Sequence, residues 1–137
     1  MAGSSYLVAI RNAWVQAILD AWDSGSGAAV VKFYSGTEPT DIDAAKSGNT
    51  LLAEITLSDP SGTVSAGVLT IAGAPKTDLL ANATGTCTFC RVENSAGVEQ
   101  TQHTVATSGQ PFTFNTASFV LNEPVELTSG TITAPNA

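Results

Sequence analysis

The chain has 137 residues, of which 43% are hydrophobic and only 12% are charged, and its net charge at pH 7 is −7. This length favours a single domain that can bury a core without metals or disulfides. With only five basic residues, the chain lacks the basic footprint needed to contact phosphates, so we expect neither nucleic acid nor an anionic membrane surface as a partner. No stretch approaches the roughly 20 apolar residues of a membrane span.

The first segment, residues 1–24, has the periodicity of an amphipathic helix. Ser4 or Ser5 is placed to cap its N-terminus through a hydroxyl group. Apolar side chains then recur every three or four residues, as expected for one helical stripe. The residues of this stripe are Leu7, Ile10, Trp14, Ile18 and Trp22.

This stripe has two interpretations, which can hold together on different faces of the helix. It packs on the sheet of its own domain, or it contacts another protein. Tryptophan is enriched at interface hot spots, which makes the five stripe residues the candidate partner-binding site. Residues 25–28, rich in Gly and Ser, end the helix and are predicted to form a flexible joint to the rest of the chain.

After the joint, residues 29–137 show strand-like alternation punctuated by turns. The predicted strands are 29–34, 51–57, 63–65, 68–72, 85–93, 98–107, 112–115, 118–121 and 125–133. Seven to nine short strands at this spacing predict a mainly β fold, an antiparallel β-sandwich or jelly roll with one N-terminal helix. No second helical segment is available as a crossover, which argues against a parallel sheet.

The residues that carry chemistry are few and scattered. Cys87 and Cys90 form C-x-x-C, but in a strand residues three apart point to opposite faces, so we interpret them as structural, reduced thiols. His103 is the only histidine, and no G-x-S-x-G motif occurs. Asp41 and Asp43 lack the glycine and glutamate of a calcium loop. We therefore expect no enzyme activity, metal or cofactor.

Several stretches resemble a family of small tailed-phage virion proteins. The helix AWVQAILDA followed by Gly-Ser-Gly resembles the start of that family, and similar stretches recur further along the chain. These are KFYSGTEP at 32–39, LLAEITLS at 51–58, GVLT at 67–70 and ATGTCTFCRV at 83–92. The resemblance spans most of the chain and rests on turns and strand alternation.

The resemblance implies a jelly-roll decoration (cement) protein that sits on the outer surface of a phage capsid. Such a protein would bind the major capsid protein, associate with copies of itself as a dimer or trimer, and be assembled in the host cytoplasm. Two alternatives stay open: another virion component such as a tail or fibre-associated protein, and a carbohydrate-binding β-sandwich. An exposed aromatic cluster at a loop tip would favour the second, whereas Phe112, Phe114 and Phe119 lie in or near predicted strands.

Overall fold

The computed structural model describes residues 4–135, which form one helix, α1 (Val8–Trp22), and eleven strands. The strands are β1 (Val30–Tyr34), β2 (Leu51–Thr56), β3 (Gly62–Ser65), β4 (Val68–Ile71), β5 (Lys76–Asp78), β6 (Gly85–Thr86), β7 (Phe89–Glu93), β8 (Glu99–Ala106), β9 (Phe112–Phe114), β10 (Ser118–Phe119) and β11 (Val125–Thr133). The protein is mainly β with one N-terminal helix, which confirms the predicted fold class.

Nine strands form one sheet, in the order β2-β1-β7-β8-β9-β11-β4-β3, with β5 also paired to β11. The pair β6 and β10 forms a separate two-stranded sheet. The strands pair antiparallel except β8 and β9, which run parallel. The predicted antiparallel arrangement therefore has one exception, where a short return without a helix brings β9 alongside β8.

The nine-stranded sheet curls over so that its two halves face each other like the layers of a sandwich. Phe33 on β1 and Phe114 on β9 are three strand spacings apart in the sheet order, which would be about 14 Å in a flat sheet. Their ring centroids are nevertheless 4.6 Å apart. The curl thus creates the enclosed core, where Phe114 also packs against Phe119 at 5.0 Å.

The helix closes the core through a face that shares only Trp22 with the fully buried part of the predicted stripe. Val15, Leu19 and Trp22 are buried, at the spacing of four and three expected for one helical face. Asp23 fixes the C-terminal end of the helix, because its Oδ1 accepts hydrogen bonds from the backbone N–H and the hydroxyl of Ser61. The helix is therefore packed into the same core as the strands.

Three local expectations need correction. The helix starts at Val8 with Leu7 at the N-cap and no side-chain cap, so neither Ser4 nor Ser5 caps it. The predicted strand 85–93 is divided into β6 and β7 at Cys87 and Thr88, and the backbone N–H of Cys87 donates to the carbonyl of Ala117 in a loop. Residues 73–83, which lie between the predicted strands 68–72 and 85–93, contain an additional strand, β5, which pairs with β11.

The Gly-Ser joint is held against the rest of the protein. The backbone N–H of Ser26 donates to Ser95 Oγ at 3.0 Å, and Asn94 Nδ2 donates to Ser24 Oγ at 3.1 Å. Gly25 has a φ of +103°, and a Cβ atom there would lie 2.2 Å from Ser95 Oγ. Glycine is needed for this turn and for close approach to the β7–β8 hairpin.

Candidate binding surfaces

The helix end of the molecule carries an apolar groove of about 230 Å³, which we call the helix-end groove. Its lining residues are Tyr6, Ile10, Arg11, Trp14, Ala134 and Pro135. Four of them come from the start of the chain and α1, and two follow β11. Ile10 and Trp14 are about half exposed. The groove therefore offers apolar surface that this chain itself leaves in contact with solvent.

Backbone contacts around the β3–β4 turn hold the two walls of the helix-end groove together. The N–H of Gly67 donates to Asn12 Oδ1 on the helix at 2.7 Å. The N–H of Ala134 donates to the carbonyl oxygen of Gly67 at 2.8 Å. Gly67 has a φ of +77°, and a Cβ atom there would lie 2.8 Å from Arg11 Nη1. The turn thus links the helix to the end of β11 and leaves room for the Arg11 side chain.

The structure separates the five predicted partner-binding residues into two groups. Leu7, Ile10 and Trp14 are exposed by 73%, 53% and 49%. Ile18 is partly buried against the core, and Trp22 is fully buried. Only the first three side chains are available to a partner in this structure, and partner binding by them stays a prediction. The stripe predicted from spacing therefore spans the boundary between the exposed and buried faces.

Trp22 is anchored on β8 beside the single histidine. Its Nε1 donates to Thr101 Oγ1 at 2.8 Å, and the same hydroxyl lies 2.9 Å from His103 Nε2. The Phe112 ring lies 5.1 Å from the imidazole and 6.3 Å from the indole. Burial lowers the pKa of His103 to about 4, so the imidazole is neutral at pH 7. This arrangement holds the helix on the sheet.

A second exposed apolar cluster, the loop-end patch, was missed by the sequence analysis. It consists of Leu79, Leu80, Val120 and Leu121, which are 50 to 73% exposed. Two apolar pairs, each next to turn-forming Asp or Asn residues, are the sequence signal that could have identified it.

Backbone hydrogen bonds join the two loops of the loop-end patch. The N–H of Ala81 donates to the carbonyl of Glu123, and the N–H of Asn122 donates to the carbonyl of Ala81. The N–H of Leu121 also donates to Thr84 Oγ1 at 2.9 Å. The patch is therefore held by main-chain bonds beneath exposed side chains.

The helix-end groove and the loop-end patch lie at opposite ends of β11. Val125, at the start of this strand, pairs with Asp78, the residue before Leu79. Ala134, just after its end, lines the helix-end groove. Nine residue steps of extended chain span about 30 Å. The two apolar surfaces are thus separated by the length of β11.

Charged side chains near the middle of the sheet serve to fix a long loop. Arg91 is buried, and its guanidinium bonds to Glu99 Oε1, to Gln102 Oε1 and to the carbonyls of Asp41 and Ala44. Burial opposes ionisation of Glu99, but hydrogen bonds from Lys46 and Arg91 outweigh it and lower the pKa of Glu99. This network ties the loop between β1 and β2 to β7 and β8.

The residues suspected of metal or redox chemistry have other partners. Asp41 Oδ1 accepts the backbone N–H groups of Asp43 and Ala44, both at 3.0 Å, which caps a turn. Cys87 and Cys90 are free and buried; burial raises the pKa of Cys87 to about 12 and that of Cys90 well above its usual value. Both are therefore protonated at neutral pH, as suits structural thiols.

Residues 4–135 offer neither a metal-binding cluster nor a membrane-spanning helix. No group of three or more His, Cys, Asp or Glu side chains is arranged to hold a metal ion in this part of the chain. Over the same residues, no helix is both long and apolar enough to cross a membrane.

The fold and the two exposed surfaces define a mainly β protein with candidate contact sites at both ends. Comparison with protein-family models, curated proteins and solved structures finds no match to the chain.

Proposed function

We propose that this protein is a structural component of a tailed-phage virion that decorates the capsid and stabilises it by binding the major capsid protein. The observation that supports this function best is the pair of exposed apolar surfaces at opposite ends of β11 on one packed body. A protein with contact surfaces at both ends can bridge two neighbouring shell subunits. The resemblance of the helix and several strands to virion proteins is the reason for proposing the major capsid protein as the partner.

Two contact surfaces on one protein suit a clamp, by which we mean a protein that binds two neighbouring shell subunits at once. Each end would bury a modest apolar area, so each contact alone would be weak. Once one end is bound, the other end meets its site at a high effective concentration, and the two contacts together hold neighbouring subunits firmly. A capsid repeats such sites many times, so we place the protein on the outer capsid surface.

Binding to empty shells tests the proposal. Purified protein is mixed with shells of the cognate phage that lack it, and the copies that sediment with the shells are counted. We expect saturation at a number that matches symmetry-related sites on the shell. Saturation at a few copies per particle would indicate a tail component instead, and no binding would contradict a virion-surface role.

Substitutions of exposed apolar side chains test whether both ends of the protein contribute to shell binding. Trp14→Ser and Leu80→Ser each remove an exposed apolar side chain from one end, and both should weaken binding at least tenfold because the clamp loses one contact. Val98→Ser is the control, since Val98 is 54% exposed but lies at the β7–β8 hairpin. Equal effects of all three variants would show that the ends have no special role.

A further inference from the structure

Arg11 is the one charged residue that lines the helix-end groove. Its Nε is buried and has no hydrogen-bond partner among the residues that the structure describes. Its Nη1 lies 3.4 Å from the carbonyl oxygen of Ala66, which is long for a hydrogen bond to a charged group. Leaving a charged donor out of water without a partner is costly, so the guanidinium is poorly satisfied in the isolated protein.

Three of the other four cations pair with carboxylates, whereas Lys76, like Arg11, forms no ion pair among residues 4–135. Lys32 pairs with Glu93 at 3.2 Å, and both Lys46 and Arg91 pair with Glu99. Among residues 4–135, Arg11 forms no ion pair, although the chain has twelve acidic residues and five basic ones. Carboxylates are therefore abundant in this protein, yet within residues 4–135 none pairs with the cation in the groove.

We infer that the helix-end groove binds a segment of the shell subunit that carries a carboxylate beside an apolar side chain, with Arg11 as the partner of the carboxylate. This inference rests on the proposed function and specifies the chemistry of one contact. The apolar side chain packs against Ile10 and Trp14, while the carboxylate accepts hydrogen bonds from the guanidinium. A planar guanidinium suits a carboxylate because two parallel N–H donors can bind its two oxygens.

The surroundings of Arg11 favour an anionic occupant over a neutral or cationic one. The groove excludes water from part of the guanidinium, and charge pairs are stronger where water is partly excluded. A purely apolar segment would bury more of the Arg11 guanidinium without offering it a hydrogen-bond acceptor. A cationic segment would add repulsion to that cost.

A small-molecule probe tests the chemistry of the groove without the shell. Hexanoate combines a carboxylate with a short alkyl chain, and hexylammonium is its cationic counterpart of similar size. Trp14 is half exposed and lines the groove, whereas Trp22 is fully buried, so a change in tryptophan emission on titration reports mainly on Trp14. A Trp14→Phe variant identifies the part of the signal that comes from Trp22.

We expect hexanoate to shift the emission saturably and hexylammonium to leave it unchanged. Arg11→Gln should weaken hexanoate binding at least tenfold, and Arg11→Lys should restore part of it. Lys76→Gln is the charge-matched control, because Lys76 lies on β5 outside the groove and should not affect hexanoate. Equal responses to the two probes, or unchanged binding by Arg11→Gln, would overturn the inference.

Measuring how the same variants bind shells tests whether the shell subunit is the partner that occupies the helix-end groove. Arg11→Gln should weaken binding at least tenfold at low salt and reduce its salt dependence, while Lys76→Gln behaves as wild type. If wild type binds shells but Arg11→Gln binds equally well, the inference fails and the decoration role stands. If wild type does not bind shells, the proposed function and the shell as the occupant of the groove both fail.

Discussion

The two ends of this protein present similar apolar surfaces by different means. At the helix end, side-chain packing positions the exposed residues, because the adjacent face of α1 is buried through Val15, Leu19 and Trp22. At the loop end, backbone hydrogen bonds between two loops position them, and Ala81 is the buried apolar residue beneath. The helix end therefore depends on the stability of the core, whereas the loop end can open locally.

This difference has a consequence for binding. A groove fixed by the core keeps its shape until the domain unfolds, which limits the conformational cost of binding. A patch formed by two loops loses more conformational entropy when it becomes ordered on binding, but it can adapt to its partner. We therefore expect the helix end to supply specificity and the loop end to supply adaptable contact, and four predictions test the contrast.

Trp22→Ala should have the largest effect on stability. The indole is fully buried and loses its hydrogen bond to Thr101 along with its packing against Phe112. Truncation of such a side chain costs about 4 kcal/mol. Urea unfolding followed by circular dichroism measures the loss, and Trp14→Ala, which removes a half-exposed indole from the same helix, should cost less than about 1 kcal/mol. Equal losses would contradict the assignment of the inner face.

Lowering the pH should destabilise the protein through protonation of His103, which packs against the helix end. Burial lowers the pKa of this imidazole to about 4, below its value near 6.5 in the unfolded chain. Its contribution to stability is therefore full above pH 6.5 and is lost as the pH falls towards 4, because the unfolded chain takes up the proton first. Between pH 7 and pH 5 the free energy of unfolding should fall by about 2 kcal/mol.

Urea titrations at the two pH values measure this loss. His103→Gln is the control variant, since it keeps a polar side chain but cannot titrate in this range, and its stability should change little between pH 7 and pH 5. A wild-type protein that is equally stable at both pH values would show that the imidazole is hydrated in solution.

The fold class was predictable from the sequence because strand alternation and turn residues are local signals. The predicted strand 125–133 matches β11, and the helix over 1–24 contains α1. The inner face of the helix was harder to identify. Trp14 and Trp22 lie about 80° apart on the helix, so both fit one apolar stripe, and only the position of the sheet decides that Trp22 is buried and Trp14 is not.

The loop-end patch was not predictable for a different reason. The residues 79–80 and 120–121 are about 40 positions apart, and only the pairing of the intervening strands brings them together. The same holds for Arg91, whose bonds to the loop carbonyls of Asp41 and Ala44 cross about 50 positions. Long-range pairing of this kind leaves no periodic signal in the sequence.

Thr84→Val should destabilise the loop end alone. The variant keeps the shape of the side chain but removes the hydroxyl that accepts the N–H of Leu121. Loss of this bond should cost about 1 kcal/mol locally. Amide hydrogen exchange should become about fivefold faster at Leu121 and stay unchanged in α1, while Thr84→Ser should retain protection. Faster exchange throughout α1 would contradict the independence of the two ends.

Leu80→Ser should have the smallest effect on stability, less than about 0.5 kcal/mol, because the side chain is 63% exposed and the N–H of this residue still donates to Asp78 Oδ1. The comparison with Trp14→Ser is then decided by binding. If the helix end supplies specificity, Trp14→Ser should reduce affinity for the cognate shell more than for a shell of a related phage, whereas Leu80→Ser should reduce both equally. Parallel losses from the two variants on both shells would mean that the ends differ in construction but not in recognition.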